Sequence, residues 1–127
     1  MSKYVLDASA LLAFLFGEDG ADRVEKLLPE AVIGAVNFAE VMAKLQEKGV
    51  SDNEADLQVA KLDLEVIDLD RALATEAGRM RASTRKFGLS LADRLCLALA
   101  AKRKAVAVTS DRIWPQAELP IEIEVVR

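Results

Sequence analysis

A chain of 127 residues suits one domain with a packed core, and 52% apolar with 30% charged residues is the composition of an ordinary globular protein. The absence of histidine excludes Ser-His-Asp and Cys-His catalysis and any His-containing zinc site, while the lone Cys96 excludes an internal disulfide and points to a reducing, cytoplasmic setting. At a formal charge of −4, the remaining chemistry belongs to carboxylates, hydroxyls, Lys or Arg, with carboxylates around a hard cation foremost.

Residues 3–7 (KYVLD) predict a short buried strand and 10–16 a helix. The apolar run 8–16 follows Asp7, has only Lys3 as a basic flank, and leads into Gly17-Glu18-Asp19 without a cleavage-type site. It is far short of the ~20 residues of a membrane span, so it reads as a buried helix. A second helix follows Gly20 and ends before Pro29, with Val24, Leu27 and Leu28 on one face. Residues 31–36 (AVIGAV) predict the second strand. A helix over 37–47 follows, with Phe38, Val41, Met42 and Leu45 at helical spacing and Gly49 as its stop. Ser51 and Glu54 have capping-box spacing for the next helix.

Residues 64–67 predict a third strand and 70–86 a long helix striped by Leu69, Leu73, Ala77 and Met80, closed by Phe87 and Gly88. Ser90 opens another helix to about Lys104, with Leu91, Leu95, Ala98 and Leu99 inward. Residues 105–109 (AVAVT) lack polar alternation, as a parallel strand covered on both faces does. Residues 121–126 alternate Ile and Glu like a half-exposed edge strand. Alternating strands and helices predict one α/β sandwich over 1–127, around a mainly parallel sheet.

Charge is unevenly spread. Residues 1–70 carry 6 Lys/Arg against 15 Asp/Glu, whereas 71–127 carry 11 against 6. A basic half on an acidic chain reads either as a polyanion-binding side or as solvated helix faces.

Parallel topology then gives four acids a common edge. Asp7 ends the first strand, and Asp111 follows the strand over 105–109. Glu40 and Asp93 fall in the first turns of helices, whose N-termini share that edge because helices run antiparallel to the strands. Such folds bind ligands there. Singly, each acid has a plainer reading. Both 37–40 and 90–93 have capping-box spacing, Asp7 suits a turn, and Asp111-Arg112 suits an Asx-turn. Jointly they are harder to explain without a ligand. An anion between an apolar strand and an apolar helix is costly unless paired, and clustered carboxylates stay ionised only beside a counter-charge. Mg²⁺, which takes a few carboxylates and keeps waters, meets the need.

The segments Val5-Leu6-Asp7-Ala8-Ser9-Ala10-Leu11-Leu12, Asn37-Phe38-Ala39-Glu40, Leu89-Ser90-Leu91-Ala92-Asp93 and Val108-Thr109-Ser110-Asp111-Arg112 resemble, in order and spacing, the four motifs of PIN-domain nucleases. Among these, the chain is similar to VapC-type toxins of toxin–antitoxin pairs. Asn37 stands where Ser or Thr is frequent, Trp114 where Phe is common, and Ile113 where many members carry a further acid.

The resemblance implies a PIN-like three-layer α/β/α fold and Mg²⁺-dependent RNA hydrolysis, with Mn²⁺ as substitute. It further implies a homodimer, a cognate antitoxin, Asp7 and Asp93 as direct metal ligands, Glu40 as holder or base of the attacking water, and Asp111 in support. Ser9 and Thr109 are hydroxyl donors to metal-bound water, to Asp7 and Asp111, or to the local backbone. Arg94 and Arg112, each following an acid, are the RNA-binding candidates. Alternatives are an RNA-processing nuclease without an antitoxin and a Mg²⁺-binding receiver-like signalling domain. Cys96 reads as a core or interface thiol, and Trp114 as closing the core or as a substrate platform.

Overall fold

The computed structural model describes residues 2–127. Strands β1 (Tyr4–Leu6), β2 (Ala31–Gly34), β3 (Glu65–Ile67), β4 (Val106–Thr109) and β5 (Ile123–Val125) form one all-parallel sheet in the order β3-β2-β1-β4-β5. Side chains alternate across a strand, so the register divides the core in two. Val5 lies opposite Val32 and Ala107, and Leu6 opposite Ile33 and Val108. The first set packs with Leu73 and Ala77 of α5 (Arg71–Arg79), Leu95 and Leu99 of α7 (Leu91–Arg103), and Trp114. The second packs with Leu11 of α1 (Ala8–Leu15), Val24 and Leu27 of α2 (Ala21–Leu27), Val41 and Leu45 of α3 (Ala35–Glu47), and Ala55 of α4 (Asp52–Ala60). The result is the three-layer sandwich expected, with the polar-alternating β5 on one edge.

The order differs from the 2-1-3-4-5 of receiver-like domains, which removes that alternative. Chain direction across the sheet reverses beside β1: β2 and β3 lie to one side, β4 and β5 to the other. The carboxyl ends of β1 and β4 therefore flank the crevice where doubly wound sheets take ligands.

Four local expectations are corrected. The strand expected over 31–36 stops at Gly34, which is the N-cap of α3 without a side-chain cap bond. Asn37 is thus inside the helix, 1% exposed, with its Nδ2 donating to the Ala92 carbonyl at 3.2 Å, and Glu40 belongs to the second turn rather than the first. The long helix over 70–86 breaks at Met80 into α5, the short α6 (Arg81–Thr84) and a 3₁₀ turn, Arg85–Phe87. There the Ser83 and Thr84 hydroxyls both donate to the Met80 carbonyl, at 3.2 and 2.7 Å, and compete with the helical ladder. The helix expected from residue 10 begins at Ala8, because Asp7 caps it. Leu91, expected inward, is 55% exposed.

Candidate active site

Asp7 is built into the crevice by both its backbone and its side chain. Its N–H donates to the Val108 carbonyl at 2.9 Å, extending the β1–β4 ladder by one residue. Its carboxylate caps α1, with Oδ1 accepting from the Ala10 N–H at 2.8 Å. The Ser9 hydroxyl reaches both carboxylate oxygens, at 2.8 and 2.9 Å, and the Thr109 hydroxyl donates to Oδ2 at 2.6 Å. Those hydroxyls are held in turn: the Ser110 N–H donates to Ser9 Oγ at 2.9 Å and the Asp111 N–H to Thr109 Oγ1 at 3.0 Å. Asp7 is 4% exposed. Burial pushes its carboxyl up to about 6, against the pull of the Thr109, Ala10 and Ser9 hydrogen bonds and with added repulsion from Asp93.

Asp93 sits at the electrostatic centre of the group. It forms a full capping box on α7, donating its N–H to Ser90 Oγ at 3.1 Å and accepting the Ser90 N–H on Oδ2 at 2.9 Å. The box engages Oδ2 and leaves Oδ1 outside it. Partial burial raises the Asp93 carboxyl despite those Ser90 bonds, with repulsion from Asp111 adding to it. Glu40 is raised too, by partial burial and then by Asp93. The second-turn position leaves Glu40 with little of the helix-dipole support expected from a first-turn site.

Asp7, Glu40 and Asp93 line one cleft of about 310 Å³, together with Ser9, Leu12 and Lys44. Asp111 lines the adjoining cleft with Ser9, Ser110, Arg112 and Arg127, and its Oδ1 closes an Asx-turn by accepting the Ile113 N–H at 3.0 Å. One expectation about the basic residues changes. Arg112 borders that adjoining cleft, but Arg94 is 7% exposed, lines neither cleft and donates Nη1 to the Ala77 carbonyl at 3.0 Å, its charge reaching Asp93 without an ion pair. The reason is that α7 is buried almost all round, from Arg94 through Ala100, so no solvent face was available to it. Conversely, Lys44 was not singled out in the sequence. Its place one turn beyond Glu40 on the same helix is the signal that could have found it.

Beneath the site, Cys96 is buried and directs its thiol toward the Val5 carbonyl at 3.8 Å. Burial, and then the charges of Asp7, Asp93 and Glu40, push that thiol well above its ordinary range, so it is inert. Trp114 is fully buried and closes the core.

Does this donor set suit a divalent cation? Among the described residues no three acids stand close enough to ligate one ion together, and none of the four acids forms an ion pair. The two Asp7 oxygens already accept from three donors, the Ser9 hydroxyl lying within reach of both. Such a set offers one or two direct carboxylate oxygens and leaves the other positions to water. That is the coordination Mg²⁺ prefers, and three acids against the single Lys44 lining the cleft leave an excess of negative charge for it to offset.

A doubly wound parallel sheet with three acids lining a cleft where its strand order reverses defines the class as α/β. A family model described as the PIN domain matches residues 4–119, and the chain belongs to the PIN-domain family. Solved structures of similar fold include the DNA-bound VapBC of Salmonella typhimurium, at 20% identity and a TM-score of 0.77 with all of both chains covered. A toxin–antitoxin complex from Klebsiella pneumoniae matches at 19% identity, 98% coverage of each chain and a TM-score of 0.76. VapBC2 of Rickettsia felis, bound to a DNA fragment from its promoter, matches at 22% identity, 96% and 97% coverage and a TM-score of 0.72. No curated protein matches in a sequence search.

Proposed function

We propose that this protein is a Mg²⁺- or Mn²⁺-dependent endoribonuclease and the toxin of a type II toxin–antitoxin pair. Asp7 carries the reading: a buried carboxylate held by three hydrogen-bond donors, beside two further acids and in no ion pair among the described residues. Membership of the PIN-domain family and likeness in fold to VapBC and toxin–antitoxin complexes support it.

Asp7 and Asp93 would hold the ion, with Asp111 supporting from the adjoining cleft. A bound divalent cation acidifies a water and offsets the charge that builds on the phosphate. Glu40, exposed to solvent and held above the ordinary carboxylate range, accepts the proton of the attacking water. The water oxygen bonds to phosphorus as the bond to the departing ribose oxygen breaks; that oxygen takes a proton from solvent, Glu40 gives its own back to solvent, and one water is consumed per phosphodiester. Ser9 and Thr109 keep Asp7 ionised and oriented. Arg112 at the rim offsets the repulsion between an acidic pocket and an incoming phosphate.

The same reading gives the chain a cytoplasmic location, a homodimeric form and a cognate antitoxin. Among the described residues no helix is long and apolar enough to cross a membrane. The purified protein is expected to cleave RNA with Mg²⁺ or Mn²⁺, to stop in EDTA, and to lose on the order of 100-fold or more in rate as Asp93→Asn. Cleavage undiminished in EDTA or in that variant would refute the site. Growth arrest on expression, relieved by the co-expressed antitoxin, separates a toxin from an RNA-processing nuclease.

A further inference from the structure

Two of the three acids in the cleft are fixed by donors of their own. Asp7 is held by Ser9, Ala10 and Thr109, and Asp93 by the Ser90 box. Glu40 has no such tether among the described residues, so its place depends on how α3 sits against α7. Those helices pack on one another, and Leu99 of α7 stands 3.6 Å from where a Cβ of Gly34, the N-cap of α3, would lie. Apolar contacts of this kind are non-directional and leave the helices free to slide.

One polar contact removes that freedom. Asn37 Nδ2 donates to the Ala92 carbonyl at 3.2 Å, and among the described residues no other side-chain hydrogen bond joins α3 to α7. Both ends of the bond fall beside an acid. Ala92 directly precedes Asp93, and Asn37 lies three residues before Glu40, on the same face of α3. The amide also faces Glu40: burial and then Asp93 raise the Glu40 carboxyl, and Asn37 pulls it back. The Asn37 amide is boxed in from the other side, its Oδ1 lying 3.4 Å from the Cβ position of Gly34. A buried amide between helices costs stability relative to an apolar side chain, and its best-attested use is to fix their register.

We propose that Asn37 is a positioning residue that clamps the start of α7 to α3 and so holds Glu40 in register with Asp93. The role rests on the nuclease reading above, in which Glu40 takes the proton of the attacking water and Asp93 holds the ion. Without the clamp the helices stay packed but shift, and a misplacement of about 1 Å costs on the order of 100-fold in rate. Asp7 and Asp93 keep their own donors, so metal and RNA binding are spared.

The test sets activity against stability. Asn37→Leu keeps a branched side chain of similar shape and has no donor; Asn37→Ser is smaller and repeats the test should leucine distort the fold. Both are expected to lose at least about tenfold in kcat for RNA cleavage, with KM and Mn²⁺ affinity unchanged. Asn37→Leu should unfold in urea at the same or a higher midpoint than the unaltered protein. Hydrogen exchange followed by NMR in the metal-free chain needs no activity. There the Asn37 side-chain amide should exchange far more slowly than those of the exposed Gln46 and Asn53, and the backbone amides of 91–94 should exchange faster in Asn37→Leu. Unchanged kcat in the variants while RNA is still cleaved overturns the clamp and leaves the nuclease reading standing. A loss of kcat matched by weaker Mn²⁺ binding and a lower urea midpoint, or failure of both variants to fold, makes Asn37 a structural residue and overturns it equally. Absence of cleavage by the unaltered protein defeats the nuclease reading itself, and exchange of the Asn37 amide at the rate of the exposed ones then disposes of the clamp as well.

Discussion

With its carboxyl held at about 6 against an ordinary 3.8, Asp7 keeps a proton in the folded chain over a pH range where the unfolded chain has lost it. Linkage then fixes the sign. The stability tied to this group is fully present below about pH 4 and is lost as pH rises through about 6, at a total cost of about 3 kcal/mol. Glu40 and Asp93, also raised, act in the same direction. Asp7→Asn removes the buried charge but leaves the Ser9, Thr109 and Ala10 donors facing an amide, so part of the gain is forfeited. In EDTA at pH 7 the variant is expected to be about 1–2 kcal/mol more stable than the unaltered protein, with a flatter profile between pH 4 and 7, and to be inactive. Urea denaturation across that range checks it. A variant that is less stable at pH 7 and keeps the same slope would show that the charge is not the cost.

Between elements, the close approach at Gly20, the N-cap of α2, sets that helix against the chain just after β5. Gly20 has φ +96°, and a Cβ there would stand 2.5 Å from the Val126 carbonyl oxygen. Val126 in turn donates its N–H to the Thr109 carbonyl at 3.0 Å, next to the hydroxyl that orients Asp7. Gly20→Ala should therefore cost about 2–3 kcal/mol, as left-handed strain plus a backbone clash. Gly17→Ala, with φ +65° and nothing within 4 Å, should cost only the strain, about 1 kcal/mol. Comparing the two denaturation midpoints isolates the clash, and equal midpoints would deny it. Element boundaries of this kind were the least legible part of the sequence. The run 31–36 is apolar throughout and can bury itself as strand or as helix, so nothing but Gly34 marks where β2 yields to α3. A single apolar stripe misread α7, which meets the sheet, α3 and α5 at once and so carries Arg94 inward. The acids were more legible than the helices that hold them. Parallel topology sends strand ends and helix starts to one edge whatever the exact boundaries. The Thr109 hydroxyl on Asp7 spans a separation of 102 residues and is visible only once β1 and β4 are neighbours.

At the scale of the molecule, a net charge of −4 with three acids lining one cleft, Asp7 among them buried, sets like charges against one another there, and a cation should relieve that repulsion. A ligand that binds only the folded state stabilises it by RT ln(1 + [L]/Kd), about 2.7 kcal/mol at a hundredfold excess over Kd. For a chain of 127 residues that corresponds to roughly 10 °C in Tm. The gain depends on pH, because binding requires the Asp7 carboxylate and must displace its proton below about 6. Scanning calorimetry with Mg²⁺ or Mn²⁺ at pH 7 should therefore raise Tm in step with log concentration. The rise should be much smaller at pH 5 and lost in Asp7→Asn, and EDTA should reverse it. Sodium chloride at matched ionic strength screens the acids without filling a site and should give at most a small part of the rise. A rise of the same size with sodium would mean that the pocket answers to ionic strength alone, and the divalent site would have to be abandoned even if the acids line the cleft as described.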